Sequence, residues 1–181
     1  MTLLTPTNQS LIDWSKKSHL FRLTLISLLI AQSLALFLLE GLIPLPFLAP
    51  GAKLGLANIV TVIALYILPS TTDVILIISL RTILATFFGG GPSILLYSLA
   101  GGLCSLMIMK LIKNRACFSL IGVSCAGGLA HNLAQLVVAS IIVNNWNLFY
   151  YLTILGPCGL ITGFFIGILG RILVTKITAI A

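Results

Sequence analysis

The sequence is poor in charge, and poorest in acidic residues. Only 7% of its 181 residues are charged, with three Asp or Glu against ten Lys or Arg, while 59% are hydrophobic. Because soluble domains average about 25% charged residues, this chain cannot cover a water-facing surface. We therefore expect an all-α integral membrane protein. The net charge of +7 is spread in ones to threes near predicted helix ends, which argues against nucleic-acid binding.

Motifs that would indicate metal or phosphate chemistry are missing as well. The cysteines form no C-x-x-C pair and have no histidine at zinc spacing; they are Cys104, Cys117, Cys125 and Cys158. The chain has no G-x-x-x-x-G-K-[ST] phosphate loop, and its two aspartates are sixty residues apart, whereas Mg²⁺-diphosphate needs clustered carboxylates. We expect no metal site, no cofactor and no enzymatic activity.

Long apolar runs are what the sequence has instead. Six can be drawn, at 20–39, 54–68, 74–88, 93–109, 118–143 and 148–174. A stretch of about 20 apolar residues crosses a hydrocarbon core of about 30 Å, so we expect six transmembrane helices, of which the second and third are short. They form one membrane domain, 20–176, between an N-terminal tail, 1–19, and a short C-terminus, 177–181.

The cations predict the orientation of these helices. If the N-terminus is inside, the inner segments carry Lys16, Lys17, Arg22, Lys110, Lys113, Arg115, Arg171 and Lys176. The outer loops then carry Lys53 alone, so the positive-inside rule places both termini in the cytoplasm. The loop NNWNLFYY adds an aromatic belt at the outer interface.

The fifth span contains polar residues that hydrocarbon does not tolerate alone. In the stretch GGLAHNLAQLVVAS, His131, Asn132 and Gln135 share one arc of the predicted helix. Such residues either clamp neighbouring helices together or line a site, and three on one arc favour a site.

Arg81 lies deep in the third span, too far from either end to reach water easily. An arginine at that depth pairs with an anion or lines a wet pathway. It either forms an ion pair with Glu40, at the outer end of the first span, or awaits a ligand.

The proline-rich stretch PLPFLAPGAKLGLAN, residues 44–58, predicts an outer loop that turns into the second span. Pro50 and Gly51 predict a helix that begins near Ala52, with Lys53 in its first turn and Asn58 deeper. A helix N-terminus favours anions. With Gln32, Arg81 and His131 these residues predict an outward pocket for an anionic ligand, a carboxylate or a phosphate.

Small residues recur every four positions in three spans. The rows are Gly159, Gly163 and Gly167; Ala126, Ala130 and Ala134; and Ala31 and Ala35. Such rows let helix backbones approach closely in lipid. For the glycine row we favour packing within the chain.

Three strings, PGAKLGLANIVTVIALYIL, SLRT and GGLAHNLAQL, resemble a family of small bacterial membrane proteins. The family is labelled heptaprenyl diphosphate synthase component I or Gx transporter family. Proteins under the transporter label resemble the substrate-binding S-components of energy-coupling-factor importers, which have six helices and an outward pocket. It implies uptake across the bacterial cytoplasmic membrane, with Ala31 and Ala35 docking an ATP-driven module.

The synthase label implies a non-catalytic membrane subunit that works with a soluble polyprenyl diphosphate synthase in isoprenoid or quinone synthesis. We favour the transporter hypothesis, in which the chain is a transport component for an anionic or amphipathic metabolite. Its binding residues would be Lys53, Asn58, Arg81, His131, Asn132 and Gln135. A scaffold whose polar residues only clamp helices is the third possibility.

Overall fold

The computed structural model of the protein describes residues 12–42, 55–115 and 117–180, which form six α-helices. They are α1 (His19–Gly41), α2 (Asn58–Ile67), α3 (Thr71–Ala85), α4 (Gly91–Lys113), α5 (Leu120–Val143) and α6 (Leu152–Ile180). A π-helical stretch, Thr86–Gly90, joins α3 to α4, and a 3₁₀-helix, Trp146–Tyr151, leads into α6. Each α-helix corresponds to one of the six predicted apolar segments.

Most of these helices are suited to lipid. Five of the described helical segments are long and apolar enough to cross a membrane, and only α2 is shorter. Their outer faces expose large apolar side chains, such as Leu28 on α1 and Phe165 on α6. In water such a surface would be unstable, whereas in lipid it costs nothing. The expectation of an all-α polytopic membrane protein is confirmed.

Polar residues mark where the helices begin and end. The hydroxyls of Ser18, Ser70 and Ser119 accept backbone N–H groups at the starts of α1, α3 and α5. Asn144 follows α5 with a φ of 52°, a left-handed conformation that asparagine tolerates better than most residues. These caps satisfy backbone groups that the helix itself leaves unpaired.

α2 is a short helix at the centre of the molecule. Its ten residues span about 15 Å, half of a hydrocarbon core of about 30 Å, and all except Ile59 are buried. It packs against α1, α3, α4 and α6. The prediction that this helix begins near Ala52 is wrong: it begins at Asn58, because Gly55 has a φ of +85°, which a helix cannot continue.

Cationic and indole side chains hold the C-terminal end of α2. The ammonium group of Lys113 donates to the carbonyl of Leu65 at 2.8 Å, and Trp14 Nε1 donates to that of Ile67 at 3.0 Å. We call this side of the bundle the basic end, since it also carries Lys110, Arg115, Arg171 and Lys176. The opposite side, with Trp146 and Tyr150, is the aromatic end.

α5 and α6 are antiparallel and in very close contact. A methyl group on Gly163 would lie 2.7 Å from Cys125 Cα, and one on Gly159 would lie 2.9 Å from the carbonyl oxygen of Gly128. Gly167 meets Ile121 in the same way. The glycine row of α6 therefore packs inside the chain, as we predicted for it.

Candidate functional site

A cluster of polar side chains surrounds the first turn of α2. Its members come from five helices and enclose a small cavity, together with Phe37, Gly55 and Ala57; they are Glu40, Asn58, Arg81, Ser98, His131 and Gln135. The cavity has a volume of about 10 Å³, room for a single water molecule. We call this set of six polar residues the polar cluster.

The polar cluster lies about halfway through the membrane. Asn58 is nine residues from Ile67, and Arg81 is ten residues from Thr71, and both Ile67 and Thr71 are at the basic end. At 1.5 Å per residue, each side chain is about 15 Å from that end. Buried polar groups at this depth have no bulk water to satisfy them, so each needs a partner in the protein or a ligand.

Glu40 binds the backbone at the start of α2. One carboxylate oxygen accepts the N–H of Gly55 at 2.6 Å, and the other accepts the N–H of Leu56 at 3.0 Å. These donors precede the first turn, where the helix dipole favours negative charge. The Glu40 carboxylate also attracts Arg81 electrostatically. The sequence suggested Glu40 only as an ion-pair partner, but its hydrogen bonds shape the site.

Arg81 is buried, and the described residues leave one of its nitrogens without a hydrogen-bond partner. Only 4% of the residue is exposed, and Nη2 donates one long hydrogen bond, 3.5 Å, to the hydroxyl of Ser98. Its guanidinium carbon lies 5.7 Å from the ring centre of Phe37. Among the described residues, Arg81 Nε has no hydrogen-bond partner. A guanidinium has five N–H donors, so this group can bind further acceptors.

His131 and Gln135 form a pair on the wall opposite α2. Gln135 Nε2 is 3.0 Å from His131 Nε2, and because an amide nitrogen only donates, the ring nitrogen accepts. The ring fits because Gly101 has no side chain: a methyl group there would lie 2.9 Å from His131 Nδ1, whereas one on Gly55 would make an ordinary contact with Cδ2 at 3.4 Å. Gln135 Oε1 has no partner among the described residues.

The two asparagines have different surroundings. Asn58 lines the cavity and donates to the hydroxyl of Ser105 at 3.1 Å. Asn132 turns away from it and donates to the carbonyl of Leu155, on α6, at 2.8 Å. The arc of three polar residues on α5 therefore divides into two cavity residues and one helix clamp.

The remaining predicted residues are not in the polar cluster. Lys53 lies outside the described residues. Gln32, which we expected in the pocket, is exposed on the outer face of α1, as are Ala31 and Ala35. The reason is rotation: α1 turns Ser33, Phe37 and Glu40 inward, so its residues 31, 32 and 35 face lipid.

Ser98 and Ser105 were not predicted, although they contact Arg81 and Asn58. Both are buried on α4 and lie seven residues apart, two turns on one helix face. That spacing in an apolar segment was the signal available. Within the described part of the chain, no group of three His, Cys, Asp or Glu side chains is arranged to hold a metal ion.

The helical bundle and its buried cluster define a class, the polytopic membrane proteins with a polar site in the membrane interior. The family model of heptaprenyl diphosphate synthase component I matches residues 29–173, and the chain belongs to that family. Comparison with curated proteins and with solved structures finds no match. Component I is a non-catalytic subunit, which agrees with the expectation that this chain is not itself the enzyme.

Proposed function

We propose that this protein is the substrate-binding component of an uptake system for an anionic or amphipathic metabolite. The observation that supports this most is the state of Arg81, a buried cation halfway through the membrane with an unused donor on the wall of a cavity. Intramembrane cations face substrate pathways far more often than lipid.

The ligand's acidic group is expected to bind Arg81. Guanidinium groups bind carboxylate and phosphate with two parallel hydrogen bonds. His131, Gln135 and Asn58 offer neutral donors and acceptors for the remainder of the ligand. Lys53 is proposed as a second cation, and Asn132 as the residue that holds α5 against α6 beside the pocket. Because the cavity has room for one water molecule, binding must move its walls apart.

α2 supports the same proposal. Transport proteins often bind substrate where a helix starts inside the membrane, since its free N–H groups and dipole attract anions. Glu40 already accepts two N–H groups there, so the described cluster balances one cation with one carboxylate. A ligand whose acid group is accompanied by hydrogen-bond donors fits both residues.

A partner protein would supply the energy for transport. Ala31 and Ala35 are exposed on α1, and the amide of Gln32 is exposed beside them at a depth where lipid cannot satisfy it. Small residues beside a polar one are the pattern by which membrane helices associate. We propose that an ATP-driven module docks on this face, in the bacterial cytoplasmic membrane and with both termini of the chain in the cytoplasm.

A second function, favoured by the family match, is a membrane subunit that assists a soluble prenyl diphosphate synthase. In that case the polar cluster would receive a prenyl diphosphate headgroup at Arg81. Copurification with a soluble synthase and an altered product length would distinguish this function from transport.

The test is a thermal unfolding series in detergent with prenyl diphosphates, flavin nucleotides, quinone precursors and carboxylate vitamins. One ligand should raise Tm saturably, and Arg81→Gln should abolish that rise, whereas Arg115→Gln, at an exposed arginine, should leave it unchanged. If no ligand shifts Tm and Arg81→Gln only lowers the melting temperature, the cluster is a helix clamp and the proposal is wrong.

A further inference from the structure

A second feature, independent of the polar cluster, lies on the lipid-facing surface at the basic end. A groove of about 550 Å³ runs between the start of α5 and the second half of α6. Its walls are Ile121, Ile168 and Ile172, and its end carries Arg171, Thr175 and Lys176. We call it the α5–α6 groove.

The register of the two helices produces the groove. Gly163 packs against Cys125 and Gly167 against Ile121. The helices are therefore antiparallel, and moving four residues forward along α6 means moving four residues back along α5. Since α5 begins at Leu120, α6 continues for about ten residues without α5 beside it. Arg171, Thr175 and Lys176 are on this overhanging part of α6.

The charged end of the groove lies at the depth of the headgroup layer. Tyr150 and Trp146, at the aromatic end, belong to an interfacial belt, and Tyr151 ends that segment. Arg171 is twenty residues further on, about 30 Å along the helix axis. That distance equals the thickness of a hydrocarbon core, which puts the guanidinium at the opposite boundary.

The two cations are available for a ligand. The ion pairs in the described ranges join Arg22 to Asp73 and Lys16 to Asp13, and neither involves Arg171 or Lys176. The hydroxyl of Thr175 is used within the helix, because it donates to the carbonyl of Arg171 at 2.8 Å. Positive charge at the top of an apolar groove complements a molecule with a phosphate head and hydrocarbon tails.

We propose that the α5–α6 groove binds an anionic phospholipid. The lipid phosphate lies between Arg171 and Lys176, and its acyl chains follow Ile121, Ile168 and Ile172. The occupant is a lipid and not free phosphate, because the groove walls are apolar and lie at the depth of the upper acyl chains.

Native mass spectrometry of the full chain in detergent tests this assignment. Dioleoylphosphatidylglycerol and dioleoylphosphatidylcholine are titrated separately, with glycerol 3-phosphate as a soluble headgroup. Phosphatidylglycerol should bind more tightly than phosphatidylcholine, and glycerol 3-phosphate should not bind. The double variant R171Q/K176Q should lose about 25-fold in phosphatidylglycerol affinity, since each basic residue near a membrane surface contributes about fivefold.

The matched control is K110Q/R115Q, which removes two exposed cations of the same end outside the groove. It should keep the affinity of the unmodified protein. Equal losses in both double variants, or equal binding of the two lipids, would overturn the proposal in favour of general surface attraction. If R171Q/K176Q fails to fold, the single variants R171Q and K176Q decide, with about a fivefold loss expected in each.

Discussion

At the scale of single residues, the central fact is a buried arginine that the protein keeps without full pairing. Arg81 is stabilised by the nearby Glu40 carboxylate, by the ring of Phe37 and by one long hydrogen bond to Ser98. An aromatic face and a hydroxyl replace only part of the water that a guanidinium loses on burial. A group held so incompletely is suited to receive an acidic ligand.

Glu40 should matter for stability as well as for the site. Glu40→Ala leaves the buried N–H of Gly55 and the partly buried N–H of Leu56 without acceptors, and we expect the free energy of unfolding to fall by about 3 kcal/mol. Glu40→Gln keeps one acceptor oxygen and should cost less. Reversible unfolding in mixed micelles measures both, and equal stability of Glu40→Ala and the unmodified protein would contradict the assigned hydrogen bonds.

The ring of His131 depends on the absence of a side chain at position 101. Gly101→Ala would put a methyl group 2.9 Å from His131 Nδ1, so the ring must turn and lose its contact with Gln135. We expect any ligand-dependent rise in Tm to fall by at least half. Gly156→Ala is the control, because a methyl group there meets nothing closer than Leu129 at 3.9 Å. The same loss in both variants would remove His131 from the site.

At the scale of helices, α2 and the α5–α6 pair are arranged by different forces. α2 is half-length and is held at both ends by other elements, through Glu40 at its start and Lys113 and Trp14 at its end. Those contacts satisfy backbone groups that lipid cannot. α5 and α6 instead adhere through close backbone packing along a glycine row. The hydrogen bonds to α2 leave polar groups inside the membrane, whereas the glycine packing leaves almost no space between α5 and α6.

The glycine row gives a prediction at this scale. Gly163→Ala would put a methyl group 2.7 Å from Cys125 Cα and 2.8 Å from the carbonyl oxygen of Ser124, and backbone atoms cannot move aside cheaply. We expect about 2 kcal/mol of destabilisation, the usual range of overpacking, measured by unfolding in mixed micelles. Gly156→Ala should be neutral, and a stable Gly163→Ala protein would show that the helices are further apart than described.

At the scale of the whole molecule, the basic end and the aromatic end of the bundle differ in charge, and this difference predicts the orientation. The basic end carries lysines and arginines from the helix ends, while the aromatic end carries Trp146 and Tyr150. Cationic ends remain in the cytoplasm during insertion. In either orientation the polar cluster lies about halfway between the two aqueous phases, the depth that the proposed transport function requires.

Labelling of Cys117 tests the orientation. This cysteine is exposed in the α4–α5 connection at the basic end, whereas Cys104, Cys125 and Cys158 are partly buried within spans. In a background without those three, an impermeant maleimide should label Cys117 in inverted vesicles and not in intact cells. Tyr150→Cys in a cysteine-free chain should give the opposite pattern. Labelling of Cys117 in intact cells would show that the basic end faces outward, which would contradict the predicted topology.

The exposed face of α1 that carries Ala31, Gln32 and Ala35, our proposed docking surface, gives the last prediction. Ala31→Leu or Ala35→Leu fills the shallow outer surface of α1 without touching the interior, so the protein should remain folded and keep its ligand response. Association with an ATP-driven module, measured by copurification, should fall at least tenfold because a branched side chain prevents close helix approach. Phe165→Leu, on the lipid-facing side of α6, is the control and should associate normally.

The sequence by itself determined the membrane class, the six helices and the presence of a polar set in the interior, because hydrophobic length and intramembrane charge are local properties. It did not determine which side chains meet. Helix rotation decided that Gln32 faces lipid and Glu40 faces the cavity, and interhelical packing decided that Asn132 contacts α6 while His131 and Gln135 share a cavity with Arg81. Rotation and register are set by contacts between segments distant in the chain, and no local pattern encodes them.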